Sequence, residues 1–481
     1  MTKEALQRKL TLFDVTNLVV GAIIGADIYV ASAFGAQYLG TFSLAVWLIA
    51  GIIAIIIALC FAQCAGLIPK VGGPYAYARE AFGTFSGFVV GWSLWFAELI
   101  SLAVFPLAFT QYLMFFFPNL DPIMQALTKI LFVVLLAATN IVGVKAAGRV
   151  NDLLTLAKLA PLVFFVIASF AWMIFNPATT ANNFSSPIAP FGFGNFGTAL
   201  VLIFWAYAGF EIGTIPAEEI SKPEKTIPKA IVLGISIVIV FYLTTNIVLF
   251  GVRNSVQLAL DKAPLASAAN SIFGSVGLLA LVGGAIVGVG ALISVAGSNE
   301  SGMIGTSRLG YALAADGLFP RVFARVHKRF STPYLSIIIQ SAVAAVAAII
   351  GGLSLLISVS VFFMAVAYLA TCAAIFVFRR RHMVPQFRVR GGPVIPALGI
   401  LFSVFLISQC TPIQLALGTG LLLAGIPIYV KYSPKKELSE FREVLLAREN
   451  VLKRVYWQER TFLAHALLHL KQWVRKMSGR T

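Results

Sequence analysis

Charge is scarce in this chain. Of its 481 residues 11% are Asp, Glu, Lys or Arg, only 19 are acidic, and 59% are hydrophobic. With a mean hydropathy of +0.90, a chain of this length cannot present a soluble surface, and the composition is that of a polytopic membrane protein. Cysteine and histidine are scarce too, four of each. Cys60, Cys64, Cys372 and Cys410 sit in or beside apolar runs without paired spacing, which argues against a disulfide framework or metal site and predicts buried free thiols. His465 and His469 stand four apart, but no acidic or third ligand is near them in sequence, so a solvated helix face is expected. There is no nucleophile elbow, no P-loop and no histidine cluster within the apolar runs. Covalent catalysis and ATP coupling therefore have no visible basis, and neither an enzyme nor a cofactor is expected.

What the chain has instead is long apolar runs. Windows of about 20 residues give twelve helix cores: 12–36, 43–67, 85–115, 128–146, 153–175, 195–221, 230–252, 277–305, 335–351, 354–378, 393–410 and 412–431. Gly351 and Gly352 mark the turn inside the longest run. Lys3, Arg8 and Lys9 precede the first run, which another follows at once, so an uncleaved first helix is expected and not a signal peptide.

The net charge of +17 is unevenly spread. Lys70, Arg79, Lys145, Arg149, Lys222, Lys225, Lys229, Arg321, Arg325, Lys328, Arg329 and Arg379 to Arg381 fall in alternate loops on the side of the termini. The other loops hold little beyond Lys129, Arg253 and Lys262. The positive-inside rule then puts both termini in the cytoplasm of a multi-pass cell-membrane protein. The excess charge reads as an orientation signal and a contact with anionic membrane lipids, not as a nucleic-acid surface.

Two apolar stretches are interrupted by glycine about ten residues in, at GAIIGADIYV (21–30) and FWAYAGFEIG (204–213). A bilayer offers no water to an unpaired amide or carbonyl, so a broken helix survives there only where protein or a cavity meets those groups. Paired breaks in the two halves of a chain point to a transporter's substrate site. Amides at the start of each half-helix present positive partial charge to a carboxylate, and freed carbonyls face an ammonium or cation. The plainer alternative is that these small residues only let helices pack closely.

Six further segments join GAIIGADIY and FWAYAGFE at the breaks: VGGPYAYAREAFG (71–83), GFVVGWSLW (87–95), TNIVGVKAAGRVN (139–151), TLAKLAPL (155–162), AEEISKPEKTIPKAI (217–231) and SRLGYALAADGLFP (307–320). Together these eight resemble the amino acid/polyamine/organocation transporter family. They occur in the family's order from about residue 12 to 335. The resemblance implies an all-α membrane protein of about 12 transmembrane helices, a five-plus-five inverted repeat whose first and sixth helices are broken. The division is then a cytoplasmic N-terminus (1–11), a first five-helix repeat (12–176), an extracellular loop (177–194), a second repeat (195–378), helices eleven and twelve (393–431) for packing or homodimer contacts, and a tail (432–481) that apolar residues recurring three and four apart among Lys and Arg mark as a cytoplasmic amphipathic helix.

By the same resemblance the chain takes up or exchanges amino acids or related organic amines by alternating access. Ile24, Gly25, Ala26 and Asp27 would hold the substrate carboxylate through backbone amides. Ala206, Tyr207, Ala208 and Gly209 would receive its ammonium, and Trp205 would stand as a lid or serve as packing. Glu211 falls beside the unwound region, where a carboxylate can link protonation to conformation. Lys158, in the T-x-x-K-L element, stands where sodium-coupled relatives bind an ion, so its ammonium can replace sodium and exchange a proton in a symport cycle. Snorkelling to the headgroups is the alternative. Glu98 and Glu300 complete the ionisable residues within the apolar runs, functional candidates because each is costly there unless paired, hydrated or neutral. Glu98 is assigned to proton movement or the substrate path, and Glu300 to a wet vestibule.

Two positions depart from the family pattern: Asp27 replaces the third member of a Gly-small-Gly element, and Gln63 replaces a glutamate. Asp27 can bind a cation or basic substrate, repel a carboxylate, or carry a proton. Its alternative is a hydrogen bond to the local backbone, which short acidic side chains make readily. The competing functions are an exchanger without ion coupling and an inorganic-ion transporter on the same fold.

Overall fold

The computed structural model describes residues 10–433 apart from 71, 143–146, 186–191, 215–219, 275–277 and 390; of residues 147–157 and 278–281 only the backbone is described. The expected tail helix, with His465 and His469, and Lys145 in its loop lie outside the described residues.

The described chain is built of helices joined by turns and short irregular segments. In order come α1 (Leu12–Ile23), α2 (Asp27–Leu39), α3 (Ser43–Leu67), α4 (Pro74–Phe82), α5 (Thr84–Phe116), α6 (Pro122–Val142), α7 (Ala147–Phe175), α8 (Pro177–Phe184) and α9 (Phe193–Phe204). Then follow α10 (Pro223–Val252), α11 (Ser255–Leu260), α12 (Pro264–Phe273), α13 (Leu278–Ala315), α14 (Tyr334–Ile350), α15 (Leu353–Arg380), α16 (Val394–Ser408), α17 (Pro412–Leu423) and α18 (Gly425–Tyr432). Among the described residues the sole β contact is a parallel bridge between Leu10 and Ile220. Among the described residues nine helical stretches are long and apolar enough to cross a membrane, and Leu12–Ile23, Tyr334–Ile350 and Val394–Ser408 are shorter apolar helices.

Local chemistry sets several helix starts. Thr11 caps α1 in a capping box: its N–H donates to Asp14 Oδ2 at 2.8 Å and its Oγ1 accepts from the Asp14 N–H at 3.5 Å. Thr411 and Gln414 repeat the device at α17, behind which Pro412 opens the helix where no N–H is needed. Prolines open α4, α8, α10 and α12 in the same way.

Burial separates an inner set of helices from a rim. In α5 and α15, 78% of the most apolar window is inside the protein, and 83% in Phe193–Thr214, against 22% in α6, in Lys158–Phe175 and in Pro412–Tyr432. The rim helices turn Leu131, Val134, Leu135, Ile167 and Phe170 outward, as a chain solvated by lipid should. Inside, α10 packs along α3, while α13 and α15 pack along α5. The four cysteines are free and buried.

The stretch 195–221, read as a helix interrupted at 204–213, is helical to Phe204 and continues as 3-10 turns over Trp205–Tyr207 and Phe210–Thr214, with the interruption at 208–209. Two expectations needed adjusting. The eighth helix, read to 305, runs on to Ala315. The short helices α4, α8, α11 and α12 lie between the expected cores and were not foreseen, being shorter than the window that detects a span.

Candidate functional site

Where α1 stops at Ile23, the chain turns extended at Ile24 (φ −75°, ψ 102°) and re-enters a helix at Asp27. The break frees carbonyls that a continuous helix would pair, and side chains from three distant helices meet them. From α7, Lys158 Nζ donates to the Gly21 carbonyl and, at 3.4 Å, to Ser298 Oγ. Ser298 and Ser294, one turn apart on α13, donate to the carbonyls of Ile24 (3.3 Å) and Gly25 (3.4 Å). From α10, the Tyr242 hydroxyl donates to Asp27 Oδ2, with the Ile23 carbonyl 3.2 Å away as a second acceptor. These bonds are what makes a break tolerable at membrane depth.

Asp27 is 5% exposed and folds back on its own segment: Oδ1 accepts the Gly25 N–H at 2.7 Å. Its contacts are therefore the local backbone and Tyr242. Lys158 (4% exposed) lies close enough to interact electrostatically with Asp27, yet the pair is not among the ion pairs within 4 Å found in the described residues.

The second break uses the same device. Ala208 is extended (φ −72°, ψ 157°) and Gly209 has φ +114°, a conformation that favours glycine. Buried Glu211, two residues on, accepts the Gly209 N–H at 3.1 Å through Oε2, and the Tyr368 hydroxyl of α15 at 3.1 Å through Oε1. Each break thus has a carboxylate two positions beyond a glycine, bonded to that glycine's amide and to a tyrosine from another helix. The breaks also touch: a methyl group on Gly209 would lie 3.1 Å from the Ala22 carbonyl carbon and oxygen.

Around the second break, Trp205 donates through Nε1 to Ser101 Oγ at 3.2 Å, and its ring lies 6.2 Å from that of Phe105. Ser101 Oγ is 2.9 Å from Ser360 Oγ, and Ser360 donates to the Ala97 carbonyl at 3.0 Å. Tyr207 turns the other way, its hydroxyl on the Trp47 carbonyl (3.0 Å) and its ring against Trp47 and Tyr242. Ala206 is fully buried and Ala208 is 9% exposed. Glu98 lies three residues before Ser101 and seven before Phe105, on one face of α5. It is partly exposed, makes no hydrogen bond or ion pair among the described residues, and has Glu211 as its electrostatic neighbour. Glu300 is also partly exposed, two residues beyond Ser298, and Gln63 is buried.

The expected residues therefore fall into two groups joined by the touching breaks: Ile24 to Asp27 with Lys158, and Trp205 to Gly209 with Glu211 and Glu98. Sequence reading missed Tyr242, Tyr368, Ser294 and Ser298. A signal existed, since a hydroxyl within an apolar run needs a partner, but nothing in the order of residues says which partner.

A family model described as amino acid permease matches residues 10–430. The chain is 26% identical over 452 residues to a branched-chain amino acid permease of Bacillus subtilis, covering 90% of this chain and 94% of that one. It is 28% identical over 453 residues to a serine/threonine exchanger of the same organism (90% and 98%). It is 27% identical over 481 residues to the large neutral amino acids transporter small subunit 2 of Mus musculus (95% and 87%).

Proposed function

The chain belongs to the amino acid permease family, and from that premise we propose that it is a secondary active transporter of amino acids or related organic amines, working by alternating access and coupled to protons. The observation that carries the coupling is Lys158, whose ammonium bridges the Gly21 carbonyl of the first break and Ser298 of α13. A cation placed between a broken helix and a neighbouring helix ties their relative position to its charge: protonated, it joins them; neutral, it holds them less firmly. Its burial also argues against snorkelling, because the head group reaches inward to backbone and not outward to lipid.

In this reading Ile24, Gly25, Ala26 and Asp27 form one side of the substrate seat, with Ala206, Tyr207, Ala208 and Gly209 opposite and Trp205 covering it. Glu211 and Glu98 are the carboxylates on the proton or substrate path. The two breaks belong to two five-helix repeats of opposite topology, 12–176 and 195–378, and both termini lie in the cytoplasm, as the distribution of basic residues supports.

The test is uptake into proteoliposomes under an imposed pH gradient. Wild-type protein is expected to concentrate substrate when the outside is acidic and to stop when a protonophore collapses the gradient. Lys158→Ala is expected to exchange substrate across the membrane without responding to the gradient. Unchanged proton dependence in that variant would sink the assignment of Lys158. The likeness to a serine/threonine exchanger favours a second reading, exchange without ion coupling, in which wild-type uptake ignores pH and requires substrate inside the vesicle.

A further inference from the structure

The first break has the chemistry of an anion seat, in which amides at the head of α2 have lost their helical partners. Yet a carboxyl group of the protein's own is already there. Asp27 Oδ1 accepts the Gly25 N–H at 2.7 Å, and its other oxygen is held by Tyr242. The carboxylate is 5% exposed, and the glycine it binds has no spare room, since a methyl on Gly25 would meet Ser298 Oγ at 2.8 Å and Asp27 Oδ1 at 3.0 Å. A second carboxylate brought to this amide would have to displace the Asp27 oxygen that already accepts its hydrogen bond, and the displaced group would be left buried without that donor.

Across the touching breaks the balance is opposite. Glu98 makes no hydrogen bond or ion pair among the described residues and is partly exposed, on the α5 face that carries Ser101 and Phe105 to Trp205. Its electrostatic neighbour is another acid, Glu211, whose oxygens are already engaged by Gly209 N–H and Tyr368. Lys158, the buried cation of the site, interacts with Asp27. The titratable groups are therefore Asp27, Tyr242, Tyr29 and Lys158 at the first break, and Tyr207, Glu98, Glu211 and Tyr368 at the second. The second group has two acids and no cation among them.

We propose that the substrate is an organic amine without a free carboxylate: its ammonium is received at Glu98 beside the 206–208 carbonyls, and Asp27 occupies the seat that a substrate carboxylate would otherwise take. This rests on the transport reading above and narrows its substrate class. An amino acid meets one open end of the site and one already filled; the amine left after removal of its carboxylate needs only the open one.

Matched probes separate the two. Full-length protein is purified and its thermal unfolding followed with cadaverine against lysine and with isoamylamine against leucine, at equal concentration and salt, and the same compounds are then offered to proteoliposomes. The amines are expected to bind about tenfold or more tighter than their parents, seen as a dose-dependent rise in Tm. Parents that bind as well as or better than the amines, and are taken up, would overturn this inference and leave the transport reading standing. Failure of all four compounds to bind or cross would overturn both.

Variants locate the cause. Asp27→Gly empties the seat and is expected to bind lysine or leucine about tenfold tighter than wild type does. Asp27→Asn keeps an acceptor on the Gly25 N–H and is expected to go on excluding them. Glu98→Gln, at a partly exposed position, is expected to keep its unliganded Tm and to bind cadaverine about tenfold more weakly. An Asp27→Gly protein with wild-type preference would refute the role of Asp27. If that variant does not fold, the wild-type pairs and Asp27→Asn still decide, because an Asn variant that gains the parent amino acids contradicts a filled seat.

Discussion

Replacing Gly209 by alanine tests whether the two breaks are held together by close backbone contact. Two costs are expected. The residue has φ +114°, and a side chain in such a sparsely populated region costs about 1–3 kcal/mol. The new methyl would also sit 3.1 Å from the Ala22 carbonyl and 3.2 Å from the Ile23 nitrogen. Backbone cannot rotate aside as a side-chain tip can, so overpacking adds about 1–3 kcal/mol. Gly83 is the control, because it has φ +94° with nothing within 4 Å of an added methyl. Gly83→Ala carries the conformational cost alone. Thermal unfolding of the two variants beside wild type should therefore rank wild type, Gly83→Ala and Gly209→Ala in falling order of Tm. Gly209→Ala should also lose most of its uptake, since the methyl pushes the breaks apart at the proposed seat, whereas Gly83→Ala should transport normally. Equal Tm losses in the two variants would mean that the contact between the breaks is not tight, and the reasoning would fail.

The tyrosines behind the breaks give a second test. Tyr242→Phe and Tyr368→Phe each remove a donor to a buried carboxylate, worth about 1.5–3 kcal/mol for a charged acceptor; a Tm unchanged in both would show that the carboxylates do not rely on them. Outside the spans, Tyr75 is buried and donates to Asp316 at 2.6 Å, and burial first, then that bond, raises its pKa above the ordinary 10.0. Its folded form holds the proton more tightly than the unfolded chain does, so its contribution is complete below pH 10 and declines as pH rises beyond it. Tm measured from pH 8 upward should show wild type losing its advantage over Tyr75→Phe only above pH 10; a difference that does not change with pH would contradict this. The Arg79–Asp316 pair (2.8 Å) is about 40% exposed on both sides, and Arg79→Ala is expected to cost no more than about 1 kcal/mol, read as a small Tm shift that shrinks further in high salt.

The environment, the helical class and the places where helices fail are legible in the order of residues alone. These are local properties: in a bilayer, twenty apolar residues in a row leave the backbone no alternative to a helix, and Gly25 and Gly209 within such runs show where that helix gives way. The order of the motifs also carried the family, since eight short segments fall in sequence from 12 to 335. Which side chains meet the groups that the breaks release is a matter of packing. Lys158 and Gly21 are 137 residues apart, Tyr242 and Asp27 are 215 apart, and Tyr368 and Glu211 are 157 apart. Even Asp27, whose reach to the Gly25 amide is a two-residue matter, could equally have faced a cation or a substrate. Its direction is fixed by Tyr242 arriving from α10, a consequence of packing that neither hydropathy nor spacing encodes.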